Sequence, residues 1–289
     1  MERDPRARLI GPDRRTWLAG LGATLTFGGP SAAAPRPFAY SGRLEQGGAL
    51  IGRASPGAQV IVNGESVDRA SSAGFFLVGF DRDEGKSVQI GVNRGAGWEQ
   101  AVLGIAPVDY DIQRIDGLPP DQVEPTNPVL LARIAREAAK KQAAFLSNDP
   151  TDNYKDGFDW PVQGARRSAR FGGQRILNGV AKTPHYGVDL AVPVGTPIRA
   201  PAPGLVVLAE PDLHFEGGLT LIDHGQGLIG MFLHQSDVRV AVGQRVERGE
   251  LIGFSGRTGR VTGPHLCWRL KWRRRNLDPS LLVGISRPI

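Results

Sequence analysis

All five histidines and the only cysteine of the 289-residue chain lie between His185 and Trp272. The stretch opens with His185-Tyr-Gly-Val-Asp189 and closes with Gly263-Pro-His265-Leu-Cys267-Trp-Arg-Leu-Lys-Trp272. In the closing segment Leu266, Trp268, Leu270 and Trp272 alternate with His265, Cys267, Arg269 and Lys271, the period of a half-buried strand. On such a strand His265 and Cys267 point together away from the core, so imidazole and thiol reach one open face. Gly187 and Pro193 favour an extended or looped backbone around His185 and Asp189, which offer nitrogen and oxygen ligands. With Cys267 they make three protein ligands and leave a fourth position for water, the arrangement of a catalytic zinc site rather than a structural one. His234 and His265 remain for acid–base work.

A longer ordered set of motifs surrounds these residues. It runs His185-Tyr-Gly-Val-Asp189, Gly195-Thr-Pro-Ile-Arg-Ala200, Gly204-Leu-Val-Val, Ile222-Asp-His-Gly225, Phe232-Leu-His234, Gly243-Gln-Arg-Val, Gly249-Glu-Leu-Ile-Gly253 and Thr258-Gly-Arg-Val-Thr-Gly-Pro-His-Leu. Over roughly residues 160–280 it resembles the LytM/lysostaphin-type zinc metallopeptidases, the duplicated hybrid motif enzymes that cut peptide bridges in bacterial cell walls. The resemblance implies that His185 and Asp189 are zinc ligands and that His234 and His265 are the catalytic pair. Cys267 falls in the slot of the third ligand, where the family carries histidine. Thiolate is a good zinc ligand, but together with Asp189 it brings two negative charges, which offset the metal's charge and acidify its water less.

Residues 1–34 read as an export signal. Asp13-Arg14-Arg15-Thr16-Trp17-Leu18 resembles the twin-arginine consensus, Trp17 to Phe27 is a short apolar run, and Ser31-Ala-Ala-Ala34 offers small residues for cleavage. That run is too short to span a membrane, no other segment approaches spanning length, and no lipid-anchor cysteine follows it. The expectation is a periplasmic protein without stable membrane insertion after signal removal. Its formal charge is +6 for the whole chain, with a sequence pI near 9.8. A basic balance suits an anionic polymer, and with no nucleic-acid recognition motif alongside it nucleic acid is not expected as a partner.

Residues 38–110 carry five short apolar or alternating runs separated by turns such as Pro56-Gly57, Asn63-Gly64 and Glu84-Gly85, the spacing of a small antiparallel β-sandwich. This module has no histidine, carboxylate pair or phosphate loop, and reads as a binding or spacer unit. Residues 111–159 form a link containing one amphipathic helix, about 128–147, capped by Asn127 ahead of Pro128. Leu130, Leu131, Ile134, Ala138 and Phe145 form its apolar side and Arg133, Arg136, Lys140 and Lys141 lie between them, as in a connector packed on a neighbouring domain. Residues 160–289 show Gly and Pro punctuation of β-branched and aromatic runs with no long helical period, an all-β peptidase domain. The expected fold is therefore mainly β.

Within that domain His224 reads as a turn residue, and His214 lies in an irregular stretch without a clear partner. Arg269, Lys271, Arg273, Arg274 and Arg275 form a basic patch, available to an anionic glycan or serving as a charged strand edge. Two functions follow. One is a zinc (Zn2+) endopeptidase hydrolysing the peptide cross-links of peptidoglycan, with a D,D bond favoured. The other is a LytM-like domain without catalysis that binds the wall or activates a partner amidase. Keeping His185, Asp189, His234 and His265 together favours the enzyme. Cys267 has no second cysteine to pair with, and an exported thiol facing a groove is open to oxidation unless a metal engages it.

Overall fold

A computed structural model describes residues 38–93, 95 and 97–289, and the segment read as an export signal lies outside the described residues. The described chain is mainly β, as expected. Its five N-terminal apolar runs all become strands. Ala39–Gly42, Ala49–Arg53 and Phe75–Gly79 form one three-stranded antiparallel sheet. Glu65–Arg69, Gln59–Val62, Ser87–Asn93 and Trp98–Gly104 form a second sheet of four. Val60, Val62, Phe76, Val78, Val88, Ile90 and Val92 are all buried, and alternation puts them on the inner faces of their strands.

A ten-stranded sheet carries the chemistry-bearing residues. Its centre is antiparallel: Gly217–Asp223 pairs with Leu228–Val238, which pairs with Leu266–Trp272, which pairs with Val188–Ala191. Leu266, Trp268, Leu270 and Trp272 are buried in the main core, as the alternation requires. That core is continuous from Phe38 to Leu282, so Phe76 and Trp268 belong to one apolar cluster.

The opposite face of this sheet is covered, not open. Leu219, Leu221, Ile229, Met231, Leu233 and Cys267 form a second apolar cluster, closed by Ala144 of the helix Pro128–Ala144 and by Phe145. The helix begins as its sequence dictates: Pro128 follows Asn127, whose side chain accepts hydrogen bonds from the amides of Val129 and Leu130. Three of its cations pair with carboxylates of the neighbouring strand and turn. Arg133 pairs with Glu137 at 2.6 Å and with Asp212 at 3.0 Å, Lys140 with Glu210 at 2.7 Å, and Lys141 with Glu216. The basic side therefore clamps the helix to the strand Gly204–Leu213 and the turn after it, while Leu131 is exposed.

Before the helix, Ile112–Ile115 pairs in parallel with Gln174–Leu177, which continues antiparallel into Val180–Ala181. A single helical turn, Pro120–Val123, follows. Asn178 fastens this segment from both sides, accepting from the Leu118 amide at 3.1 Å and donating to the Leu118 carbonyl at 2.8 Å. No helix among the described residues is long and apolar enough to cross a membrane.

Candidate metal centre and its histidine pair

Antiparallel pairing places Asp189 directly across from Cys267, with Val188 opposite Trp268 and Leu190 opposite Leu266. Two residues paired across a ladder share a face, so carboxylate and thiol meet. His185 enters from the loop before that strand, and its Nε2 lies 3.0 Å from Asp189 Oδ1 and 3.3 Å from Cys267 Sγ. The three ligand atoms lie within 4.8 Å of one another, and all three residues are buried. Asp189 Oδ1 accepts no well-formed hydrogen bond, its nearest polar neighbours being His185 Nε2 at 3.0 Å and His265 Nε2 at 3.7 Å. A tetrahedron with arms of roughly 2.0–2.3 Å has edges of roughly 3.3–3.8 Å, near the observed separations. One nitrogen, one oxygen and one sulfur aimed at a common point, with an orphaned oxygen among them, fit a zinc-type ion.

The backbone fixes which nitrogen of each histidine is available. His185 Nδ1 donates to the Arg170 carbonyl at 3.3 Å, His234 Nδ1 to the Thr258 carbonyl at 2.9 Å, and His265 Nδ1 to the Gly263 carbonyl at 2.8 Å. A carbonyl only accepts, so each ring is the Nδ1–H tautomer and keeps its Nε2 lone pair for the site. His234 is aimed by a bulge. Gly218 pairs with Gln235 and Thr220 with Phe232, so two residues oppose one, and His234 takes the left-handed φ of 67°. Such strain persists where surrounding bonds enforce it. Here the His234 amide donates to the Glu216 carbonyl, and Thr258 Oγ1 ties into the Gln235 carbonyl, both at 2.8 Å. The His234 and His265 rings then stand 4.8 Å apart, with His265 Nε2 at 3.7 Å from Asp189 Oδ1.

Burial and charge set the protonation states. Burial pushes Asp189 up, but His185, His265 and Arg175 outweigh it and hold the carboxyl well below the usual carboxylate range. Burial, opposed by Asp189, lowers His185. Burial and the neighbouring His265 lower His234 to about 3, so it stays neutral in ordinary conditions. Burial pushes the Cys267 thiol up to about 12, against the pull of Arg269.

Cys267 is 1% exposed. It does not lie on an open face as alternation alone suggests, because the helix and its cluster cover that side of the sheet. The open side of the centre lies toward the histidine pair. A recess of about 60 Å³ touches Asp189, His234 and His265, and a groove of about 500 Å³ runs outward past His265, Thr262 and Ser168. Ile115 and Leu118 of the fastened segment wall the recess, and Arg175 lines both spaces.

Other expectations need correction. Of the basic patch, Arg269 hydrogen-bonds to Cys267, Lys271 lies 4.7 Å from the Phe145 ring centre, Arg273 pairs with Asp68, and Arg275 lies 3.3 Å from Glu84. Each of these four cations has a partner within the fold. His214 has a partner after all, the Asp121 carbonyl at 3.2 Å. His224 stands at a turn as expected, its amide donating to the Leu228 carbonyl, and is fully buried against Phe158. Arg175, Arg269 and Thr258 bear directly on the site, and their types alone gave no signal of it.

Residues 183–279 match Peptidase family M23. A crystal structure from Pseudomonas aeruginosa described as a peptidase M23 aligns with a TM-score of 0.65 at 30% identity, covering 84% of this chain and 96% of its own. The peptidoglycan DD-endopeptidase ShyA of Vibrio cholerae is 41% identical over 148 residues, which is 48% of this chain and 34% of ShyA. ShyC of the same organism is 40% identical over 108 residues, covering 37% of this chain and 24% of ShyC. The matched part is thus 34% and 24% of these curated relatives' own length.

Proposed function

We propose, from the premise that this chain belongs to peptidase family M23, that it is a zinc-dependent endopeptidase hydrolysing the D,D peptide cross-links of peptidoglycan. The observation that carries this reading is the convergence of His185 Nε2, Asp189 Oδ1 and Cys267 Sγ beside the His234–His265 pair at the head of a groove. His185, Asp189 and Cys267 would hold the ion. Zinc in such a site supplies the positive charge that polarises a scissile carbonyl and lowers the pKa of water.

The chain's own residues do the rest. His234 and His265 each present an Nε2 lone pair, because their Nδ1 protons are committed to carbonyls. One takes the proton of the attacking water, and the other, once protonated, donates to the oxyanion or to the leaving amine. The groove past Ser168, Thr262 and His265 accepts the extended peptide. The D,D bond is supported by the relatives' names, and a wall substrate by the same likeness.

The location follows from residues outside the described structure. Arg14-Arg15 and the apolar run after them support export by the twin-arginine route to the periplasm. Proteins on that route travel folded, which lets the centre fill before it meets oxidant.

Incubating purified protein and zinc with cross-linked muropeptides, followed by mass spectrometry, tests the reading. Expected products carry new amine termini at the D,D cross-link, and His234→Ala slows release by roughly 10²–10⁴-fold while keeping its zinc. Cleavage between glycines refutes the D,D assignment. No release at all, with sacculi still bound by His234→Ala, favours a wall-binding or amidase-activating domain.

A further inference from the structure

Arg269 was expected to face outward, yet its side chain lies beside the centre. It follows Cys267 by two residues on the same strand and so shares its face, and its Nε donates to Cys267 Sγ at 3.3 Å. Among the described residues no carboxylate lies within ion-pair distance of its guanidinium, unlike Arg133, Arg273 and Arg275. Gly187 makes room for it. A Cβ there would meet Arg269 Cγ at 2.6 Å and Cys267 Sγ at 3.1 Å, so the glycine of the His-Tyr-Gly-Val-Asp segment lets arginine stem and sulfur lie against the loop. On the far side of the centre Arg175 stands 3.6 Å from Asp189 Oδ2. Each anionic ligand thus has a guanidinium behind it.

A thiolate and a carboxylate together offset a divalent ion's charge and blunt its pull on water and carbonyl. A hydrogen bond into a ligating sulfur withdraws electron density from it, and such outer partners tune metal sites. We propose that Arg269 is a positioning residue of the metal centre, whose Nε–H···Sγ bond orients the Cys267 sulfur and restores the electrophilicity that the cysteine would otherwise cost. This rests on the reading of Cys267 as a ligand, and it couples two positions, 267 and 269, that a histidine ligand would not couple in this way.

Cobalt substitution tests it without recourse to activity. The full-length protein is stripped, reloaded with Co2+, and its near-ultraviolet sulfur-to-cobalt charge-transfer band recorded, alongside Zn2+ affinity by chelator competition. In Arg269→Met the sulfur is richer in electrons, so the band moves to longer wavelength, while loss of the orienting bond lowers affinity roughly 10–100-fold. In Arg269→Lys, which keeps stem and charge, the shift is smaller. If Arg269→Met does not fold, the wild-type against Arg269→Lys comparison carries the test, because lysine cannot place a donor where Nε–H stands. A band present in the wild type but unmoved in the variants, with equal affinity, overturns the role of Arg269 and leaves the ligand reading intact. A cobalt protein with no sulfur band overturns the ligand reading and this proposal with it.

Discussion

Cys267 either binds metal or packs as a small apolar side chain, and the two roles respond differently to substitution. A serine is isosteric but presents a neutral hydroxyl, a poor zinc ligand, whereas histidine brings back a nitrogen of the usual kind. Cys267→Ser is therefore expected to lose zinc and Cys267→His to retain it, read as metal per protein by mass spectrometry. Full zinc occupancy in Cys267→Ser would sink the assignment. Thiol reactivity is the weaker probe, since at 1% exposure the sulfur is shielded with or without an ion. At this scale the sequence was most legible: the five residues singled out by type and order are the five that meet. What it concealed was context. Alternation tells on which side of a strand Cys267 lies but not whether that side is covered, and it made Arg269 look like one more surface cation.

The elements that hold those residues were legible in proportion to how local their causes are. Asn127-Pro128 announces a helix because cap and first turn are neighbours in sequence. The strand Ile112–Ile115 left no comparable mark, since a parallel partner sixty residues away supplies its hydrogen bonds. That segment matters to the site, because Ile115 and Leu118 wall the recess beside His234. Its fastening is local to Asn178, whose φ of 47° also suits asparagine in a tight turn. Removing both side-chain bonds in Asn178→Ala should cost about 1–3 kcal/mol locally. Hydrogen exchange followed by mass spectrometry is expected to show faster exchange confined to residues 112–123, with cleavage of large cross-linked fragments raised more than that of small peptides. Uniformly faster exchange across the chain would instead mean that Asn178 supports the whole fold.

At the scale of the molecule, one core joins the N-terminal sheets to the ten-stranded sheet, and His224 is buried against it. It is fully buried, edge-on to Phe158 at 5.0 Å, and Phe158 in turn packs on Trp268. Its Nδ1 donates to the Pro203 carbonyl at 2.7 Å, while Nε2 is buried without a partner. Protonation would place a charge and an unsatisfied donor in that core, and burial accordingly lowers the group to about 4. The folded value lies below the unfolded one of about 6.5, so the unfolded chain binds more protons in between. Stability from His224 is then complete above about pH 6.5 and is lost as pH falls toward 4. The size is about 2–3 kcal/mol by pH 4.5, from the two values and 1.36 kcal/mol per unit. His234 is also lowered by burial and pulls the same way. The buried Asp223 next in sequence is raised by burial, so its contribution runs oppositely, present at low pH and lost as pH rises. A difference measurement separates them. His224→Asn keeps a donor near the Pro203 carbonyl and cannot titrate, so its urea-unfolding free energy should fall less than the wild type's between pH 7 and 4.5, by about 2 kcal/mol. Parallel curves for the two proteins over that range would show that His224 is not the acid-sensitive group of this core.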